Sequence, residues 1–360
     1  MTQLKPRAHT PTTQDRTIRW GMVGIGALAD RFIAPGIAAV DGCELTAVVS
    51  RDQGRADAFA ARHHAQRAFN DYRDLLDTDI DVVYIASPNG LHRAHAVAAL
   101  DAGKHVLVDK PLALTIDDGE AIVAAADRTG LLAGVGYQAR HKASNAAARA
   151  AMLGGRIGRL AHVQMFVGAG KDLFPFGTWR ADPALAGGGT LLNQGTHAID
   201  LLEWVTGERI CEVTALSQAD ELEEVFAAVC RLDSGALATI VCDQVQAGTR
   251  RDWIAVGHAG WLEGFAAMAG GAGDRMVLHA DGTSTELASS PVGAYQQQLA
   301  DMAAAIRGDA PLNGDARDGL RAIAVVEALY RSAREHRAVV LADDDRTALA
   351  QPGVTAHAGG

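Results

Sequence analysis

Apolar residues along this chain follow two regimes. From Ile18 onward, short apolar runs alternate with helical stretches. Ile18 to Ile25, Cys43 to Ser50, Val82 to Ala86 and Val106 to Val108 predict strands, while Leu28 to Val40, Gly54 to His63, Asp71 to Leu76 and Leu91 to Ala102 predict helices. Val82 to Ala86 has no polar alternation, the pattern of a strand covered on both faces. Strands separated by single helices imply parallel pairing through right-handed crossovers, hence a doubly wound sheet.

After about Tyr137 the runs lengthen and alternate. Leu160 to Val167, Glu212 to Ser217, Val225 to Leu232, Ala236 to Val245 and Trp253 to Gly257 predict strands, with Asp233-Ser234-Gly235 as a hairpin signal. Consecutive strands of this kind predict a mostly antiparallel sheet. Helices are expected over Ala143 to Leu153 and over Asp315 to His336, where Leu320, Ile323, Val326 and Tyr330 share one face. The chain therefore reads as α/β: a doubly wound unit over 17–137, a second α/β unit with a large open sheet over 138–342, and polar tails over 1–16 and 343–360.

Composition narrows the function classes. A length of 360 residues suits two domains, and 48% hydrophobic with 21% charged residues is the balance of a globular chain. A net charge of −10 with no local basic stripe argues against a nucleic-acid partner. Cys43, Cys211, Cys230 and Cys242 lack CxxC or metal-ligand spacing and read as small buried hydrophobes in a reducing compartment. No apolar run approaches the roughly 20 residues that span a bilayer, and the N-terminal tail lacks a secretory apolar stretch. A cytoplasmic protein without metal or membrane partner is expected, and His63, His64 and His162 are assigned no function.

The first chemical signal is Gly24-Ile25-Gly26-Ala27-Leu28-Ala29, a G-x-G-x-x-A pattern where a strand ends and a helix begins. Gly24 permits the tight turn, Gly26 removes a Cβ that would block a pyrophosphate, and Ala29 lets the helix approach the sheet. The helix N-terminus offers free N–H groups to phosphate. At the end of the second strand, an acid would favour NAD by binding the ribose 2′-hydroxyl. That position reads as Ser50, followed by Arg51, and a hydroxyl beside a guanidinium suits the 2′-phosphate of NADP. A shift of one residue would bring Asp52 there and restore NAD, so NADP is preferred with NAD as the alternative.

With Ser87-Pro88-Asn89-Gly90-Leu91-His92 and Gly103-Lys104-His105-Val106-Leu107-Val108-Asp109-Lys110-Pro111, the sequence resembles the glucose-fructose oxidoreductase, inositol dehydrogenase and rhizopine catabolism (Gfo/Idh/MocA) family over about 17–340. The resemblance implies an N-terminal Rossmann domain and a C-terminal α/β domain. The open sheet of the second would form a homodimer or homotetramer interface. It implies hydride transfer between a nicotinamide cofactor and a hydroxyl or keto carbon of a sugar, sugar derivative or cyclitol. Asp109-Lys110-Pro111 matches the family's Glu-Lys-Pro, with Asp replacing Glu. Lys110 would orient the reacting oxygen, since an ammonium there stabilises a developing alkoxide.

A second signature, Gly187-Gly188-Gly189 followed by Asn193 and His197, resembles the family's glycine tract and D-x-x-x-H pattern. His197 falls on the catalytic histidine, and Asn193 stands where many members carry Asp. Residues four apart share a helix face, so both can look into one cleft. Imidazole suits removal of a hydroxyl proton, whereas an amide cannot ionise to stabilise imidazolium. Asp200 is a candidate for part of that task. By resemblance, Pro88, Asn89, His92, Lys110 and Gln138 join Gly24, Gly26, Ala29, Ser50 and Arg51 at the cofactor. Arg140, Trp179 and Arg180 join Lys110, Asn193 and His197 at the substrate, with Lys171 as a further donor. Two other readings stand beside the dehydrogenase: an NAD-dependent glycosidase of the same fold, and a cofactor-sensing protein without chemistry.

Overall fold

The structure, a computed structural model, describes residues 16–170 and 178–341. In its first sheet, β1 (Ile18–Val23), β2 (Cys43–Val49), β3 (Arg67–Phe69), β4 (Val82–Ile85), β5 (His105–Val108) and β6 (Ala133–Val135) run parallel in the order β3-β2-β1-β4-β5-β6. All of β4 is buried, as its unbroken apolar run requires. The strand order reverses between β1 and β4, and ligands of open parallel sheets bind beyond the carboxyl ends of the strands at such a reversal.

Helices α1 (Ala34–Ala38), α2 (Gln53–His63), α3 (Tyr72–Leu76), α4 (His92–Asp101) and α5 (Ile116–Thr129) link these strands. The helix expected over Leu28 to Val40 is composite. A π-turn over Ala29–Ile33 feeds α1, which has Pro35 in its first turn. Proline lacks an N–H and crowds the carbonyl four residues back, so the wider turn absorbs a misfit that a straight α-helix could not.

The second sheet contains β7 (Leu160–Ala169), β8 (Ile210–Ser217), β9 (Val225–Leu232), β10 (Leu237–Asp243), β11 (Thr249–Gly257), β12 (Gly260–Phe265), β13 (Arg275–Ala280), β14 (Thr283–Glu286) and β15 (Val339–Val340). Their order is β14-β13-β12-β11-β7-β10-β9-β8-β15, and every neighbour pair is antiparallel except β7 with β10. Helices α6 (Ala143–Leu153), α7 (Pro183–Ala186), α8 (Thr196–Thr206), α9 (Ala294–Arg307) and α10 (Ala316–Glu335) complete the fold. In β9 the residues Phe226, Ala228, Cys230 and Leu232 are buried while Ala227, Val229 and Arg231 are exposed, because successive side chains point to opposite faces.

Helix α10 lies on the buried face against β8, its ends fixed by a capping box at Asp315 and Asp318 and a left-handed His336. The opposite face is uncovered: Leu216, Val229, Leu237 and Trp261 are exposed there. Helix α9 returns to the first sheet, where Tyr295, Leu299 and Met302 share a core with Trp20, Ile33 and Ile37. Cys230 and Cys242 are buried, whereas Cys43 and Cys211 are half-exposed. Among the described residues, no helix is long and apolar enough to cross a membrane.

Candidate active site

The dinucleotide fingerprint sits at the strand-order reversal. Gly24 has φ +95°, and a Cβ there would stand 2.5 Å from the Ala86 carbonyl oxygen, so the β1 and β4 turns pack as only glycine permits. A Cβ on Gly26 would meet nothing within 4 Å, leaving open space in front of the helical turn. The first N–H groups of that turn have no acceptor within the helix. Ala29 is wholly buried against the sheet. These features fit a bound dinucleotide pyrophosphate.

Beyond β2, Asp52 is committed elsewhere: its Oδ1 accepts from the Arg55 backbone N–H at 2.9 Å, capping α2. Ser50 Oγ accepts from the Asp52 N–H at 3.4 Å, and Arg51 is exposed beside it. Pro88 is half-buried in the loop after β4. Asn89 Nδ2 donates to the Ala186 carbonyl at 2.9 Å, tying that loop to the chain before the glycine tract.

His92 departs from its expected part. Its ring is buried, with Nδ1 2.8 Å from the Pro111 carbonyl oxygen and Nε2 2.9 Å from that of Ser87. It braces the loops after β4 and β5 and has no ring nitrogen left for a cofactor.

Lys110 follows β5 and reaches across to the second unit. Its Nζ donates to the Asn193 backbone carbonyl at 2.7 Å and to Asn193 Oδ1 at 3.1 Å. Asn193 belongs to a π-turn over Leu191–Gly195 that runs directly into α8, which carries His197. The expected regular helix is thus widened where the functional groups stand, as such turns commonly are. His197 is buried, and its Nδ1 has no partner among the described residues.

Burial, then the Lys110 and Arg251 charges, push the imidazole well below its ordinary value. Burial pushes Lys110 down to about 8, with Arg180 and Arg251 adding to the effect and Asp109 opposing it. Burial raises the Asp109 carboxyl, with Lys110 the leading opposing charge. The site therefore holds a neutral imidazole and an easily titrated ammonium.

The glycine tract is shaped by Glu223, which the sequence did not single out. Its carboxylate accepts from the N–H groups of Gly189 at 3.0 Å and Leu191 at 2.8 Å and from the Tyr330 hydroxyl at 3.0 Å. A Cβ on Gly189 would stand 2.1 Å from the Glu223 carbonyl oxygen, and one on Gly188 would stand 2.4 Å from the Tyr330 hydroxyl. The glycines let this clamp close on the turn that presents Asn193.

An open cleft lies in front, lined by Asn89, Trp179, Arg180, Gly188, Asn193 and Gln244 among others. The Arg180 guanidinium stacks 4.3 Å from the centre of the Trp179 ring. Gln138 is fully buried, and neither of its amide atoms has a hydrogen-bond partner among the described residues. Lys171 lies outside the described residues.

Arg140 does not serve the cleft as expected. Its Nε donates to both Asp200 oxygens at 3.0 and 2.9 Å, its Nη2 to Asp200 at 2.6 Å and its Nη1 to Asp318 at 2.8 Å. That buried network joins the segment after β6 to α8 and α10. It spends the guanidinium on protein carboxylates and engages both Asp200 oxygens.

A family profile described as "Oxidoreductase family, NAD-binding Rossmann fold" matches residues 18–137, and one described as "GFO/IDH/MocA C-terminal domain" matches 145–263. The chain belongs to the Gfo/Idh/MocA oxidoreductase family. Among curated Gfo/Idh/MocA relatives, the 1,5-anhydro-D-fructose reductase of Ensifer adhaerens is 30% identical over 322 residues, 88% of this chain and 96% of that one. The scyllo-inositol 2-dehydrogenase (NADP(+)) of Bacillus subtilis (strain 168) is 41% identical over 116 residues, 32% of this chain and 35% of that one. Among solved structures, the aldose-aldose oxidoreductase of Caulobacter crescentus, complexed with glycerol, superposes with a TM-score of 0.84 at 29% identity. That match covers 91% of this chain and all of the other. The Rossmann sheet, the Gly24–Ala29 turn and the second sheet are thus those of an NAD-binding oxidoreductase.

Proposed function

We propose that this family member is an NADP-preferring dehydrogenase or reductase acting on a hydroxyl or keto carbon of a sugar, sugar derivative or cyclitol. The observation that carries the reading is the meeting of Lys110, beyond β5 of the first sheet, with Asn193 on the turn leading to His197. In this reading residues 17–137 hold the cofactor and 138–342 shape the substrate cleft. Ser50 and Arg51 face the 2′-phosphate. Asp52 supports this assignment, since its carboxylate already caps α2.

When bound, the nicotinamide supplies the two-electron acceptor or donor for the carbon bearing the reacting oxygen. Lys110 Nζ holds that oxygen and stabilises the negative charge that develops on it. The His197 imidazole, uncharged near neutral pH, takes the hydroxyl proton on a ring nitrogen and returns it in the reducing direction. Asn193 positions Lys110 through its two carbonyl oxygens. Trp179 and Arg180 line the approach and exclude water from the reacting face.

The uncovered apolar face of the second sheet supports assembly of copies of this chain into a homodimer or homotetramer. Cysteines that are all unpaired among the described residues fit a reducing cytoplasm. Incubating the protein with NADP or NAD and a panel of sugars and inositols tests the activity. The reading requires a change in nicotinamide absorbance with at least one substrate, faster with NADP, and its loss in Lys110→Ala. Cleavage of a glycoside with no net cofactor change would replace it with the glycosidase reading.

A further inference from the structure

Buried cations outside the cleft follow one rule in this protein. Arg140 lies on Asp200 and Asp318, Arg321 on Glu203, and Lys142 on Asp274. Each meets a carboxylate because an uncompensated charge removed from water is costly.

Arg251 breaks the rule, and it faces the same turn as Lys110. Arg251, on β11, donates from Nη2 to Gln194 Oε1 at 3.0 Å and from Nη1 to the Met268 carbonyl at 3.4 Å. Its Nε is buried with no hydrogen-bond partner among the described residues. Gln194 stands next to Asn193 on the π-turn, so the guanidinium is tied to the turn that presents Asn193. Among the described residues Lys110 hydrogen-bonds only the neutral oxygens of Asn193, with the adjacent Asp109 carboxylate as its counter-charge. Neutral acceptors satisfy the Arg251 N–H groups but leave its charge unanswered, and the two cations repel each other. The missing negative charge is one that a ligand can bring.

We propose that the substrate of this site carries a carboxylate, held by Arg251, a few bonds from the hydroxyl handled by Lys110 and His197. The proposal rests on the oxidoreductase reading and names its substrate class: a uronic, aldonic or cyclitol acid. Each Nη has one N–H bond to Gln194 or Met268, so Arg251 keeps Nε–H and a second N–H on each Nη for an oxyanion. A phosphoryl group would answer the same charge, and the experiment separates the two.

Initial rates with NADP are compared for matched substrates that differ in one group: D-galactose and D-galacturonate, D-glucose and D-glucuronate, with D-glucose 6-phosphate as the phosphoryl arm. The acid should exceed its neutral partner in kcat/KM by about tenfold to a hundredfold, the range of one charge-assisted hydrogen bond. Arg251→Met should bring that ratio near one, chiefly by raising KM for the acid, while Arg251→Lys retains part of it. Equal or better use of neutral sugars, a ratio unmoved by Arg251→Met, or preference for the phosphate overturns the proposal.

Thermal melting of the NADP-loaded protein with each compound reads binding without turnover and shows whether each variant is folded. Stabilisation by the acids alone, lost in Arg251→Met, upholds the carboxylate site even if no compound is turned over, an outcome that would defeat the oxidoreductase reading instead. No acid-dependent stabilisation overturns the carboxylate site.

Discussion

The Lys110 ammonium is held by Asn193 twice, through the backbone carbonyl at 2.7 Å and the side-chain Oδ1 at 3.1 Å. An amide here fixes the direction of the ammonium without neutralising it. The proton on Lys110 is accordingly less tightly held than it would be with a carboxylate at position 193.

That relationship predicts the pH profile. Lys110, lowered to about 8, is charged below that pH and loses its proton above it, while His197 is already neutral through the neutral range. kcat/KM for alcohol oxidation should be flat near neutrality and fall above about pH 8. Asn193→Asp, which adds an opposite charge within hydrogen-bonding distance, should move that limb upward by roughly 1–3 pH units. A limb that stays fixed in Asn193→Asp would remove Lys110 as its origin.

Cofactor choice is assigned to Ser50 and Arg51. Arg51→Ala should weaken NADP binding by about tenfold to a hundredfold, the value of a charge-assisted bond, and leave NAD binding nearly unchanged. Titration of both cofactors by protein fluorescence checks this. Equal weakening of the two would mean that Arg51 does not read the 2′-phosphate.

Arg140 illustrates a residue whose motif membership misleads. Removing one partner of a buried ion pair strands the other charge, so Arg140→Met should cost about 3–5 kcal/mol of stability. Arg140→Met combined with Asp200→Leu should recover much of that loss in a denaturant titration. Loss of affinity for substrate without loss of stability would return Arg140 to the cleft.

The open sheet face makes a prediction about assembly. Leu216 and Val229 stand exposed on one face of neighbouring strands. Replacing both by Glu should shift the mass seen by light scattering to that of a monomer, with the fold retained by circular dichroism. An unchanged mass would locate the interface elsewhere or show that the chain is a monomer.

Much of this was legible in sequence because it is local. The G-x-G-x-x-A turn, the apolar run of β4, the alternation of β9 and the capped α10 each depend on neighbours within a few residues. Short β3 and β6 carry too few residues for a period, and glycines at 257, 260 and 264 interrupt the pattern of β11 and β12. The π-turns escaped notice because their residues have the composition of an ordinary helix.

In the site, the residues with a contiguous motif could be named, but their partners could not. Glu223 clamps a glycine tract more than thirty residues earlier, and Arg251 reaches Gln194 from another strand. Such long-range contacts leave only an isolated charge at the edge of a strand. The same limit hid the true partners of His92 and Arg140.

The account turns on Lys110 and His197 acting together on the reacting oxygen. The most direct test is single-turnover nicotinamide absorbance in Lys110→Met and His197→Ala, alongside NADP affinity for each. Turnover should fall by about 10²–10⁴ in each variant, with NADP affinity changed only a few-fold. Wild-type turnover in either variant would contradict the account.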